Sequence, residues 1–152
     1  MLRGFQVLVS GIAVAAVTLA ATAAYAQEAA APKPPVLTLD GDAAIVTILI
    51  KPDKTADFEA VLTKLKESLA KSSNAERQKQ AAGWTVYKSS QMAQNSAVYM
   101  FVISPVVKGQ EYDLTQLIAE VFPVEVQEVF AKYKDAFAGR AITPMTQLMK
   151  MQ

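Results

Sequence analysis

The sequence predicts an α+β fold: an antiparallel sheet with helices packed on one of its faces. Three observations predict it. Two short β-branched runs, Ala44 to Ile50 (AIVTILI) and Ser96 to Ile103 (SAVYMFVI), are apolar at consecutive positions. Phe58, Val61, Leu62, Leu65 and Leu69 recur at helical spacing. Two further helical stripes flank Pro123. Strands and helices in that order define a two-layer arrangement around one core.

The chain starts with a different kind of segment. Arg3 gives a positive start, Phe5 to Ala24 carries no charge, and Ala24-Tyr25-Ala26 offers small residues before Gln27. These are the three parts of a secretory signal peptide, with cleavage expected between Ala26 and Gln27 and a periplasmic or extracellular destination. The competing reading is a retained anchor, since the run is about long enough to span a bilayer. Its Ala, Thr, Ser10 and Gly11 make it weakly apolar, and no basic stop-transfer cluster follows. With the segment removed, no stable membrane insertion is expected.

Residues 27 to 43 read as an Ala/Pro-rich linker (QEAAAPKPP over 27 to 35), then a short strand at Val36 to Leu39 and a turn at Asp40-Gly41. The domain proper spans 44 to 152. Ala44 to Ile50 suits a strand buried on both faces, ended by Lys51-Pro52-Asp53. Asp53 or Thr55 would cap a helix over Ala56 to Lys71, with Asp57 and Glu59 at its positive end. Ser72-Ser73-Asn74 interrupts it, and Ala75 to Ala82 favours a second helical piece ending at Gly83.

Trp84 to Ser89 alternates, placing Trp84, Val86 and Lys88 on one face and Thr85, Tyr87 and Ser89 on the other. A turn over Gln91 to Asn95 joins it to the strand Ser96 to Ile103 as a hairpin. Leu114, Leu117, Ile118, Val121 and Phe122 make one helical stripe, with Asp113 as N-cap and Tyr112 stapled onto it. Val126, Val129, Phe130, Tyr133 and Phe137 make the next. The two helices should meet at Phe122-Pro123, because proline lacks the backbone donor, and Gly139 should close the second. Ala141 to Gln152 is left as a tail able to form a last edge strand, limited by Pro144.

The order β-α-β-β-α, with a possible last β, is the split β-α-β or ferredoxin-like arrangement. Its helices cover one face of the sheet. Strands apolar on both faces then need a partner on the other, and the economical partner is a second copy packed sheet to sheet. A homodimer also suits an exported chain without cysteine, which has no disulfide to stabilise it.

Several chemistries are excluded. The chain has no His and no Cys, so no Ser-His-Asp or Cys-His unit, no zinc site with nitrogen or sulfur ligands and no His- or Cys-held haem can form. No metal and no cofactor is expected, and no phosphate-binding glycine motif occurs. Loss of residues 1 to 26 removes Arg3, which leaves the two signs of charge equal at 14. A balanced charge argues against a nucleic-acid partner. Asp53, Asp57 and Glu59 suit a helix start, and Glu120, Glu125 and Glu128 suit a solvated helix face.

The run Ala44 to Pro52 (AIVTILIKP), the helix from Phe58, the strand opening Gly83 to Tyr87 (GWTVY) and the hairpin to Ile103 resemble the dimeric α/β-barrel superfamily, and within it the antibiotic-biosynthesis-monooxygenase-like domains. The resemblance covers about residues 44 to 104. The helical pair from Asp113 to Gly139 is longer than the single helix usual there. The resemblance implies a polar and aromatic pocket that activates an electron-rich organic substrate without a cofactor. On this chain the local candidates are Trp84, Tyr87, Tyr99 and Asn95. Trp84 also reads as a packing anchor, and alternation puts it on the face opposite Tyr87. The expectation is therefore an exported homodimeric α+β protein, non-catalytic, that binds a small apolar or aromatic ligand or associates with the envelope. The alternative is a cofactor-independent monooxygenase-like enzyme acting on a small organic substrate.

Overall fold

The computed structural model describes residues 34 to 151. The expected signal segment lies outside them. Strand β1 (Ala43–Ile50) leads through a 3₁₀ turn (Pro52–Lys54) into helices α1 (Thr55–Lys71) and α2 (Ala75–Ala82). Strands β2 (Trp84–Lys88) and β3 (Ala97–Ile103) form the hairpin. Helices α3 (Leu114–Ala119) and α4 (Val126–Ala136) precede the last strand, β4 (Phe137–Met145). The four strands form one open antiparallel sheet in the order β2-β3-β1-β4.

Register decides what each face carries. Val46 pairs with Phe101 and Ile48 with Tyr99, and paired residues share a face. That face is the core: Ala44, Val46, Ile48, Ile50, Tyr99, Phe101 and Ile103 are buried against Phe58, Val61, Leu65 and Leu69 of α1 and Leu114, Leu117 and Ile118 of α3. Phe58 is central, with ring centroids 4.8 Å from Tyr99 and 6.5 Å from Phe101. The opposite face carries Ile45, Thr47 and Leu49 beside Val98, Met100 and Val102, all only half-buried. The strands read as buried on both faces are thus buried on one and open on the other among the described residues.

Several elements depart from the sequence reading. Helix α1 starts without a side-chain cap: neither Asp53 nor Thr55 caps it, because the 3₁₀ turn supplies its entry. Val36 to Leu39 is not a strand. Two of its backbone donors go to a carboxylate, with Val36 N and Leu37 N donating to Glu111 at 2.6 and 2.9 Å. Helices α3 and α4 do not meet at Phe122-Pro123, since residues 120 to 125 form a turn between them. Gly139 does not close α4. The helix ends at Ala136, and Phe137 already pairs with Ile50, so pairing to β1 captures residues that helical spacing had claimed.

Other expectations hold. Asp113 caps α3, accepting from Thr115 N at 3.0 Å and Gln116 N at 3.1 Å. The interrupting run Ser72-Ser73-Asn74 also supplies a cap that the sequence reading did not assign: Asn74 caps α2, accepting from Glu76 N at 2.9 Å. Gly83 lies where a Cβ would come within 2.9 Å of the Pro105 carbonyl oxygen, so the chain can pass into β2 only with glycine there. The acidic face of the helical pair is tied down by cations: Glu120 pairs with Arg77, Glu125 with Lys64 at 2.8 Å and Glu128 with Lys132 at 2.7 Å.

Candidate functional site

Trp84 opens β2 on the core face, paired with Ile103. Its ring lies 5.6 Å from Phe101 and 5.5 Å from Tyr112. Two spaces share it as a wall. The larger is an open groove of about 630 Å³ between α1, the end of α2 and β2. Leu62, Leu65, Leu69, Ala70, Ala81 and Val86 make its apolar lining, and Thr63, Lys66 and Thr85 are its polar groups. The size and the apolar lining with few polar groups match a small-molecule site.

The smaller space lies on the other side of Trp84, between the sheet and α3 and α4. Val46, Ile48, Phe101, Tyr112, Leu114, Tyr133 and Arg140 line it, and it holds about 10 Å³. That is room for about one water-sized group. The indole Nε1 of Trp84 is buried with no hydrogen-bond partner among the described residues. A buried unpaired donor costs about 1–3 kcal/mol, so it is a place where an acceptor gains.

Tyr133 belongs to this chamber. Burial pushes its phenol up to about 12, with nearby Arg140 working weakly against the shift. The folded state therefore holds this proton more tightly than the unfolded chain does. Stability is fully present below the ordinary tyrosine value and is lost as pH rises from there through about 12. In an alkaline ultraviolet titration the last phenolate step should disappear in Tyr133→Phe. A last step that persists in that variant would place Tyr133 in solvent.

A polar cluster joins α1 to the end of β2. Glu59 accepts from Lys88 Nζ and from Tyr99 Oη, each at 2.7 Å. Lys88, then Tyr99, hold the Glu59 carboxyl below its usual range. Glu59 raises Lys88 in return, and burial followed by Glu59 raises Tyr99. Each shift reinforces the charge state the group already has at neutral pH, so the cluster is a clamp and not a poised acid–base pair.

The four residues singled out from sequence are not brought together. Trp84 walls the groove. Tyr99 is on the same face, beside Lys88 in the β2–β3 register, with its hydroxyl committed to Glu59. Tyr87 is half exposed on the opposite face, paired with Met100. Asn95 is exposed in the hairpin turn with a positive φ of 56°. Tyr133, Arg140, Leu62 and Lys66 line the two spaces and were missed. Leu62 and Lys66 are one helical turn apart and flank the buried stripe, a signal that marks a helix flank but not the gap beside it. Among the described residues no group of three or more acidic, His or Cys side chains is placed to hold a metal ion. No described helix is long and apolar enough to cross a membrane. No protein-family model, curated protein or solved structure matches the chain.

Proposed function

We propose that this chain is an exported, homodimeric, non-catalytic protein that binds a small apolar or aromatic molecule in the groove walled by Trp84. The observation that carries the reading is the groove itself, about 630 Å³ of mainly apolar lining beside the one tryptophan. Export rests on the sequence of residues 1 to 26. The strand order β2-β3-β1-β4, antiparallel throughout, supports the ferredoxin-like topology of dimeric α/β barrels. The open face of Ile45, Leu49, Val98, Met100 and Val102 supports association of two sheets. Apolar surface of this kind gains roughly 25 cal/mol per Å² when removed from water.

Two experiments follow. N-phenyl-1-naphthylamine, an apolar aromatic probe, should saturate the groove and change Trp84 fluorescence. Val86→Lys should weaken that binding about tenfold or more, because it sets an ammonium against the apolar wall. Binding that never saturates in the native chain would overturn the groove reading. Met100→Lys on the open face should leave the fold intact and shift the chain toward monomer at micromolar concentration, read by light scattering. A variant that stays as associated as the native chain would remove this face from the interface.

A second reading, cofactor-independent monooxygenase-like chemistry on a small organic substrate, finds its support in Tyr133 beside Trp84 at the chamber. It ranks below binding because the chamber holds one water-sized group and the half-buried phenol stays protonated at neutral pH. Oxygen uptake in the presence of electron-rich phenols measures it.

A further inference from the structure

Among the described residues, strand β2 is an edge of the sheet. Ser104 N donates to Gly83 O at 2.8 Å and Ser89 N to Val98 O at 2.8 Å, which fixes the phase of the hairpin ladder. In an antiparallel pair the bonded positions alternate. Residues 83, 85, 87 and 89 therefore face β3, and Trp84, Val86 and Lys88 turn their backbone N–H and C=O groups to the open edge. The same residues direct their side chains to the core face, where Trp84 and Val86 line the groove. An open edge beside an apolar groove is the geometry that accepts an added strand.

The chain carries a segment of matching chemistry. Beyond β4, Leu148, Met149 and Met151 are 90, 68 and 84 % exposed. In an extended segment Met149 and Met151 fall on one side and Leu148 and Lys150 on the other. Methionine is suited to an irregular apolar groove because its side chain is unbranched and flexible. We propose that residues Leu148–Met151 of a second copy add as a strand along β2, with Met149 and Met151 over the groove.

Reach assigns the segment to a second copy. Gln147 N donates to Asp42 Oδ2 at 3.1 Å, which holds the start of the segment beside β1. A strand added outside β2 lies three strand spacings from β1, roughly 14 Å. Met149 is two residues past Gln147 and reaches about 7 Å at full extension. It cannot lie along the β2 edge of its own chain. Docking in this way deepens the groove reading, on which it rests for one consequence: the segment and a small apolar ligand compete for the same lining.

The chain has no cysteine, so introduced thiols report this contact alone. Full-length Val86→Cys and Met149→Cys variants are mixed and oxidised, and the Val86→Cys/Met149→Cys double variant is oxidised separately. The mixture should give a covalent heterodimer on a non-reducing gel, and the double variant should give covalent oligomers. A disulfide closed within one chain, or none at all, overturns the proposal. A chain ending at Gln147 should bind N-phenyl-1-naphthylamine about threefold or more tightly, since the competing segment is gone. An affinity equal to that of the full chain also overturns docking over the groove. If neither chain binds the probe while the heterodimer forms, the small-molecule reading fails and the strand contact stands.

Discussion

Phe58→Ala should cost about 3–5 kcal/mol of folding free energy, the range for removing a buried aromatic side chain from a packed core. Phe58 is fully buried in the first turn of α1. Its ring touches both layers: Tyr99 and Phe101 on the sheet, and Tyr133 on α4 at 5.8 Å. The cavity left by alanine would lie where α1, α4 and the sheet meet, and rigid strands on one side limit how far the site can collapse. Tyr99 would also lose the edge-on ring contact that sets the direction of its hydroxyl toward Glu59. Urea denaturation at fixed chain concentration reads the loss as a lower midpoint with an unchanged slope. Phe58→Leu should recover most of it, since it keeps apolar volume. A loss below about 1 kcal/mol in Phe58→Ala would mean that Phe58 is not at the junction of the layers.

Glu111→Ala should destabilise the fold by about 3 kcal/mol, although no apolar contact is lost, because charge-assisted hydrogen bonds are worth roughly 1.5–3 kcal/mol each. The Glu111 carboxylate is buried and accepts from Val36 N at 2.6 Å, Leu37 N at 2.9 Å and Asp113 N at 2.7 Å. It fastens the segment ahead of β1 to the entry of α3. Gln80 Nε2 donates to the Glu111 backbone carbonyl at 2.7 Å, and Arg77 Nη1 to Gln80 Oε1 at 2.7 Å, so the anchor continues into α2. Truncation leaves three backbone donors without their acceptor. Val36 is exposed and can turn to water, whereas Leu37 packs against the core and Asp113 sits at the helix start. Glu111→Gln keeps an acceptor oxygen and should lose less. Amide exchange locates the effect: Leu37 should lose protection first, with the central strands little changed. Equal loss of protection in β1 and β3 would contradict a local anchor.

Sequence reasoning located what is local and periodic. The stripe Phe58, Val61, Leu65 and Leu69 is the buried face of α1 because helical spacing and burial coincide there. Alternation separated Trp84 from Tyr87, and the sheet puts them on opposite faces. Asp113 was readable as a cap because its partners are two and three residues away. What was not readable depends on distant pairing. Phe137 and Gly139 have helical or helix-ending signals, and pairing with Ile50 and Leu49 of β1 overrides them. Glu111 looks like any loop carboxylate, and its partners Val36 and Leu37 are 75 and 74 residues away. The groove follows from the gap between α1 and β2, and Tyr133 and Arg140 come together only when α4 and β4 close over the sheet. No local pattern encodes either.

The central claim is that two copies cover the open sheet face, which presents Met100 between Thr47 and Tyr87 in the register. Static light scattering on the size-exclusion peak of residues 27 to 152, at micromolar concentration, tests it most directly. The expected result is a mass of at least two chains that falls in Met100→Lys. A clean monomer in the native protein would contradict it.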